Sequence, residues 1–164
     1  MVKANRLLSI VQATNKLPKA LRSTVWSQVF GRVVPMVGSA SIRYLDVSPS
    51  KVVVRIENQR NMQNHIKGVH AAAMALLAET ATGFVTGLNV PDNRILLIKS
   101  LHVDYLKVAQ GGLTATATLS KEQQQFILDN EKAELEIPVS VVDDSGQSPI
   151  QCTMIWAWLP KKKK

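Results

Sequence analysis

Hydrophobic residues are spread most densely between residues 64 and 88, where the chain reads NHIKGVHAAAMALLAETATGFVTGL. Over 70–88 the side chains of Ala, Leu, Met, Phe, Val and Thr fill nearly every face of a helix rather than one stripe, and a helix apolar all round is a buried one. The run approaches membrane-spanning length. Glu79 stands in its middle, however, Gly83 and Gly87 interrupt it, and strand-like sequence flanks it on both sides, which fits a soluble core helix better. The polar segment RNMQNHIKG leads into it.

The flanking segments follow other periods. Ile42, Tyr44, Val52, Val54 and Ile56 alternate with polar neighbours over 39–45 and 51–57, which predicts two strands joined by an SPS turn. After the long helix, NVPDN predicts a turn and RILLIKSLHVDYLKV a long strand ending before Gly111 and Gly112. LTATATLSK, AELEIPVSVVD and PIQCTMIWAWL predict three more strands, with Pro138 marking an edge or a bulge in the second. EQQQFILDNE fits neither period. Ahead of all these, Leu7, Leu8 and Val11 over 4–14, and Leu21, Val25, Val29, Phe30 and Val33 over 19–34, predict two amphipathic helices parted at Pro18, the second closed by Pro35. They are expected to cover an edge or mouth of the core. The order implies an antiparallel sheet curled around one long helix, an α+β fold. Its expected divisions are N-terminal helices over 1–35, the main domain over 36–160 and a disordered basic tail over 161–164.

With 164 residues, 46% of them hydrophobic and 20% charged, the chain has the size and composition of one domain with a real core. The single cysteine, Cys152, excludes an internal disulfide, and its apolar surroundings predict a buried structural thiol. LLSIV is broken at once by Gln12, Thr14 and Asn15, so no signal-peptide core is read and a cytoplasmic setting is expected. The net charge of +8 lies at the ends: residues 1–35 hold six basic residues and no acid, and Lys161, Lys162, Lys163 and Lys164 follow at the other end. The remaining ten basic and twelve acidic residues give a nearly neutral body without a basic stripe interleaved with aromatics. Neither nucleic acid nor a membrane is therefore expected as a partner. Three histidines far apart in sequence offer no metal-ligand spacing, and no Gly-rich phosphate loop or nucleophile elbow occurs, so no metal or cofactor is expected.

Glu79 is the only acidic residue between Asn58 and Pro91. A carboxylate in such apolar company should have a raised pKa and be poised for proton transfer. The stretch N-H-I-K-G-V-H-A-A-A-x-x-L-L-A-E that contains it resembles the signature of hotdog-fold acyl-CoA thioesterases, and is most similar to the phenylacetate-pathway type and its thioesterase-like relatives. Those proteins carry an Asn-containing loop, a His or Tyr followed by small residues at a helix start, and an acid nine positions later. Asn64, His70, Ala71 and Glu79 fall on these positions.

The resemblance implies a hotdog fold and a hydrolase that cleaves the thioester of an acyl-CoA substrate. It also implies an assembly that is a homodimer joined sheet edge to sheet edge, or a homotetramer made as a dimer of dimers. In that reading Glu79 acts as general base or nucleophile, the Ala71 backbone N–H meets the developing oxyanion, and Asn64 positions water or the thioester oxygen. His70 either joins the chemistry or shapes the loop through a helix-start hydrogen bond. The alternative is a non-catalytic acyl-ligand-binding hotdog protein. The chain departs from the pattern at Ala71 and Ala72, where many members have Gly-Gly, and at Lys67, where many have Gly. The strand after the helix also supplies no hydroxyl before Ser100. These departures bear on catalysis rather than fold.

Ala71 and Glu79 are eight residues apart on one helix, about 12 Å along its axis, and His70 and Glu79 point to opposite faces. One chain alone is not expected to assemble the site, which predicts a composite site across a dimer. Tyr105 and Trp156 are expected in the core.

Overall fold

The computed structural model describes residues 5–162, without the side chains of Lys19 and Ala20. Residues 1–4 and 163–164, parts of the expected N-terminal segment and basic tail, lie outside the described residues. Three helices open the chain: α1 (Arg6–Thr14), α2 (Lys19–Val33) and α3 (Pro35–Ser39). Asn5 caps the first by accepting the Leu8 N–H at 2.6 Å, while its amide donates to the Gly87 and Val90 carbonyls at 2.7 and 2.9 Å. That one side chain starts α1 and fastens it to the far end of the central helix.

The second helix ends at Val33 with its C-cap at Val34, just before Pro35 as expected, and the same proline also opens the third, as its fixed φ and missing N–H suit a first helical position. Gly38 makes this corner possible, because a Cβ there would collide with the Gly31 carbonyl oxygen. The extra helical turn delays the first strand to residue 43. The buried stripe of α2 matches the expected one only in part: Phe30 is buried as expected, Trp26 is buried beside it, and Leu21 and Val33 are exposed. Trp26 Nε1 donates to Thr14 Oγ1 at 2.7 Å and ties α2 to α1.

A hairpin follows, β1 (Arg43–Ser48) and β2 (Lys51–Ile56), and then a 3-10 turn at Arg60–Met62 leads to α4 (Ala71–Gly87). The chain continues through β3 (Arg94–Tyr105), β4 (Leu113–Thr118), α5 (Lys121–Asp129), β5 (Ala133–Glu136), β6 (Val139–Asp143) and β7 (Ile150–Pro160). The unassigned EQQQFILDNE segment supplies most of α5, which Ser120 and Gln123 start with a reciprocal capping box. Arg94, buried, donates its guanidinium to the Ile127, Leu128 and Asn130 carbonyls and so satisfies the end of that helix.

All strand pairing is antiparallel, in one sheet of order β1-β2-β4-β6 and one of order β3-β7-β5. Pro138 is where the chain passes from one to the other: β5 pairs with β7 before it and β6 pairs with β4 after it. Lacking an N–H, proline suits the position at which a strand changes partners. The two sheets wrap α4, which packs on β2, β3, β4, β6 and β7. Leu77, Ala78, Ala81 and Val85 of α4 are completely buried, as are Val52, Val54 and Ile56 opposite them. This is the α+β hotdog architecture, with three helices laid in front of the sheet. At the tail, the Lys161 amide donates to the Asn93 carbonyl at 2.9 Å and its Nζ to the Asp92 carbonyl at 2.6 Å. No helix of the described residues is long and apolar enough to cross a membrane.

Candidate active site

The loop ahead of α4 is folded by its own polar residues. Asn64 Oδ1 accepts the Ile66 and Gly68 N–H groups, each at 3.1 Å, and the Asn64 N–H donates to the Gly68 carbonyl at 2.9 Å. These bonds hold Lys67 at φ 62°, in the left-handed region that favours glycine. At α4's first turn His70 is the N-cap, with Nδ1 accepting the Ala72 N–H at 3.1 Å. The next amide, that of Ala71, meets no acceptor among the described residues, and it stands at the positive end of a 17-residue helix. Tyr105 Oη donates to the Ala71 carbonyl at 2.9 Å and anchors this turn to the end of β3. Tyr105 is 49% exposed, so its expected place in the core is corrected: the ring lies at the sheet end, outside the helix it holds. Trp156 is buried as expected.

Glu79 lies two turns further along α4 and is half-buried. It lines an apolar cavity of about 280 Å³ between α4, the N-terminal helices and the sheet. Burial pushes its carboxyl above the ordinary carboxylate range, and no hydrogen bond or opposite charge among the described residues offsets that burial. Tyr44 on β1 and Thr80 beside Glu79 line the same cavity. The Tyr44 ring meets Phe30 edge-on, with ring centres 5.2 Å apart, and Phe84 at a tilt, with ring centres 4.9 Å apart. Its phenol is pushed up by burial first and by the Glu79 charge second, so it stays protonated and available as a donor. Thr80 Oγ1 is buried without a hydrogen-bond partner among the described residues. Strand alternation pointed Tyr44 inward, but nothing in the spacing marked it as a neighbour of Glu79.

The four sequence-derived candidates thus fall into three cavities. Asn64 and Ala71 share one of about 410 Å³ with Tyr105, His70 lines another of about 300 Å³, and Glu79 lines the third. Within one chain Glu79 shares a cavity with none of the others. The unpaired carboxylate and the unpaired helix-start amide have complementary chemistry, a proton acceptor and an oxyanion donor, but lie on separate surfaces of one subunit. Among the described residues no cluster of three or more His, Cys, Asp or Glu is arranged to hold a metal ion.

No curated protein matches the chain. Among solved structures, a Pseudomonas aeruginosa protein of unknown function, described as a probable thioesterase, is 19% identical, with 88% of this chain and 97% of that one covered at a TM-score of 0.74. A thioesterase enzyme from Staphylococcus aureus, solved as a mutant, is 16% identical over 77% of this chain and 100% of that one, with a TM-score of 0.66. A thioesterase from Haemophilus influenzae is 12% identical over 97% of this chain and 94% of that one, with a TM-score of 0.64. At these identities the likeness is one of fold. A family model described as a domain of unknown function (DUF4442) matches residues 22–159, which is most of the chain, and the chain belongs to that family.

Proposed function

We propose that this protein is an acyl-CoA thioesterase whose active site is shared between two copies of the chain. The observation that carries the reading is the Glu79 carboxylate, unpaired and half-buried at an apolar cavity, with its pKa raised by that burial. Such a group costs stability and is suited to accept a proton near neutral pH. In the proposed reaction Glu79 takes a proton from water and the resulting hydroxide adds to the thioester carbonyl carbon. The Ala71 N–H of the second copy meets the oxyanion. Collapse breaks the C–S bond, and the thiolate leaves as CoA thiol with the proton that Glu79 had taken. Asn64 and His70 act by fixing the loop and first turn that present the Ala71 N–H. A cytoplasmic setting belongs to this reading, since CoA esters are intracellular metabolites.

The other reading, an acyl-ligand-binding protein without hydrolysis, draws on the same geometry: the acceptor atoms of Asn64 and His70 are already engaged by their own backbone. A panel of acyl-CoA esters with a free-thiol readout separates the two. The expected result is turnover by the native chain and a loss of roughly 10²–10⁴-fold in Glu79→Gln with the fold unchanged. Binding of acyl-CoA without thiol release would favour the second reading, and native-like turnover in Glu79→Gln would remove Glu79 from the chemistry.

A further inference from the structure

Glu79, Gly83 and Gly87 recur at intervals of four and therefore share one face of α4. All three line the same cavity, so it extends from the carboxylate at Glu79 to the end of the helix at Gly87. Eight residues at 1.5 Å each make this run about 12 Å long. Neither glycine contributes a side chain, and Trp156 and Leu7, which also line the cavity, pack close against the helix there. A side chain at Gly83 would place its Cβ 2.6 Å from the Trp156 ring, and one at Gly87 would place its Cβ 3.3 Å from Leu7 Cδ2. Phe30 and Val33 of α2, Val37 of α3 and Val34 between the two helices form the opposite wall, and Leu96 of β3 completes it. Tyr44, Glu79, Thr80 and Trp156 are the lining residues with a polar atom in the side chain, the Trp156 N–H being taken up by Thr82, and no cation is among them.

Leu7 stands at the Gly87 end. It belongs to α1, which precedes the residues matched by the family model, and Asn5 binds α1 to the Gly87 and Val90 carbonyls. The end wall is thus a side chain held in place through a cap that does not depend on it.

We infer that this cavity is the acyl subsite, that Leu7 ends it, and that it takes an uncharged acyl chain of limited length. The inference rests on the thioesterase reading and adds a substrate class to it. An extended chain advances about 1.2 Å per bond, so a run of about 12 Å from the carbon attacked at Glu79 holds about ten carbons. Chains ending in a carboxylate are excluded, because the lining holds no cation to pair with them and Glu79 repels them. Below the limit each added methylene is buried, which raises affinity about fourfold.

The test uses straight-chain acyl-CoA esters of increasing length, assayed for hydrolysis, alongside their non-hydrolysable thioether analogues, whose binding is measured by calorimetry. Native chain, Leu7→Ala and Leu7→Phe are compared, with circular dichroism to establish that each is folded. The expected optimum for the native chain lies near ten carbons, with Leu7→Ala moving it up by about two carbons and Leu7→Phe moving it down by a similar amount. Hydrolysis with an optimum that neither substitution moves overturns the subsite and leaves the thioesterase reading standing. A length optimum in binding that shifts with Leu7, without hydrolysis of any ester, supports the subsite and overturns the thioesterase reading. Failure of every analogue to bind overturns both.

Discussion

In the proposed reaction a single carboxylate, Glu79, ties activity to stability. Burial raises the folded-state pKa of Glu79 above its unfolded value, so the folded chain holds a proton there that the unfolded chain has lost across the window between the two. Stability is full below the unfolded value and falls as pH rises through the folded one. Glu79→Gln keeps the shape and removes the charge, so its melting temperature should exceed that of the native chain at pH 8. The difference should shrink as pH falls through the raised pKa and vanish below the ordinary carboxylate range. Thermal denaturation of both chains between pH 4 and 8 checks this. The native kcat/KM should fall along an acid limb over the same window, since the protonated carboxyl cannot act as a base. Equal melting temperatures at pH 8 would mean that Glu79 is too well solvated to bear a raised pKa. Lys67 is the other residue at which composition and conformation pull apart: the loop imposes φ 62° where many hotdog thioesterases have glycine, at a backbone cost of order 1 kcal/mol.

At the scale of elements, α4 owes its place to what it lacks. Alanine in place of glycine within a helix ordinarily gains about 1 kcal/mol. At Gly83 the new Cβ would sit 2.6 Å from the Trp156 ring, which is buried and held by a hydrogen bond from Nε1 to Thr82 Oγ1 at 2.9 Å. Overpacking of about 1–3 kcal/mol should outweigh the propensity gain. Gly83→Ala is therefore expected to lower the melting temperature by a few degrees, and a rise would show that the indole gives way. The sequence made this helix legible because its composition alone marks it as buried, and it made β2 legible because Val52, Val54 and Ile56 alternate without a break, whereas in β1 an irregularity between Tyr44 and Asp46 interrupts the alternation. Other elements depend on local chemistry that period does not carry. The helix at Lys121–Asp129 is announced by the Ser120 and Gln123 capping box rather than by an apolar stripe. Pro35 reads equally as the end of one helix or the start of another. The candidate site was legible as residues but not as partners. Spacing along α4 separated Ala71 from Glu79, whereas the juxtaposition of Tyr44 with Glu79, and of Tyr105 with the Ala71 carbonyl, comes from strands far away in the chain.

At the scale of the whole molecule, the edge strand β3 bears on the proposed site shared between two copies. It runs for 12 residues, pairs with β7 on one side only among the described residues, and exposes Leu97 and Leu101 at 52% and 45%. A long open edge with exposed apolar side chains is a template for another strand. Pairing β3 with its own copy about a two-fold axis would extend the sheet, bury those side chains twice over and bring two α4 helices together antiparallel. The start of one, with its free Ala71 N–H, could then approach Glu79 of the other. A dimer in solution is the first expectation, checked by sedimentation, and a charge placed on the edge, as in Leu97→Lys, should weaken it. The second expectation concerns the site. Glu79→Gln and Asn64→Ala chains should each be nearly inactive as homodimers, the one lacking its base and the other the loop that presents the oxyanion donor. After subunit exchange, each heterodimer holds one site with both lesions and one with neither, so the isolated heterodimer should turn over at about half the native rate. A heterodimer that forms but stays inactive would place base and oxyanion donor in the same subunit, against the roughly 12 Å that separates Ala71 from Glu79 along α4.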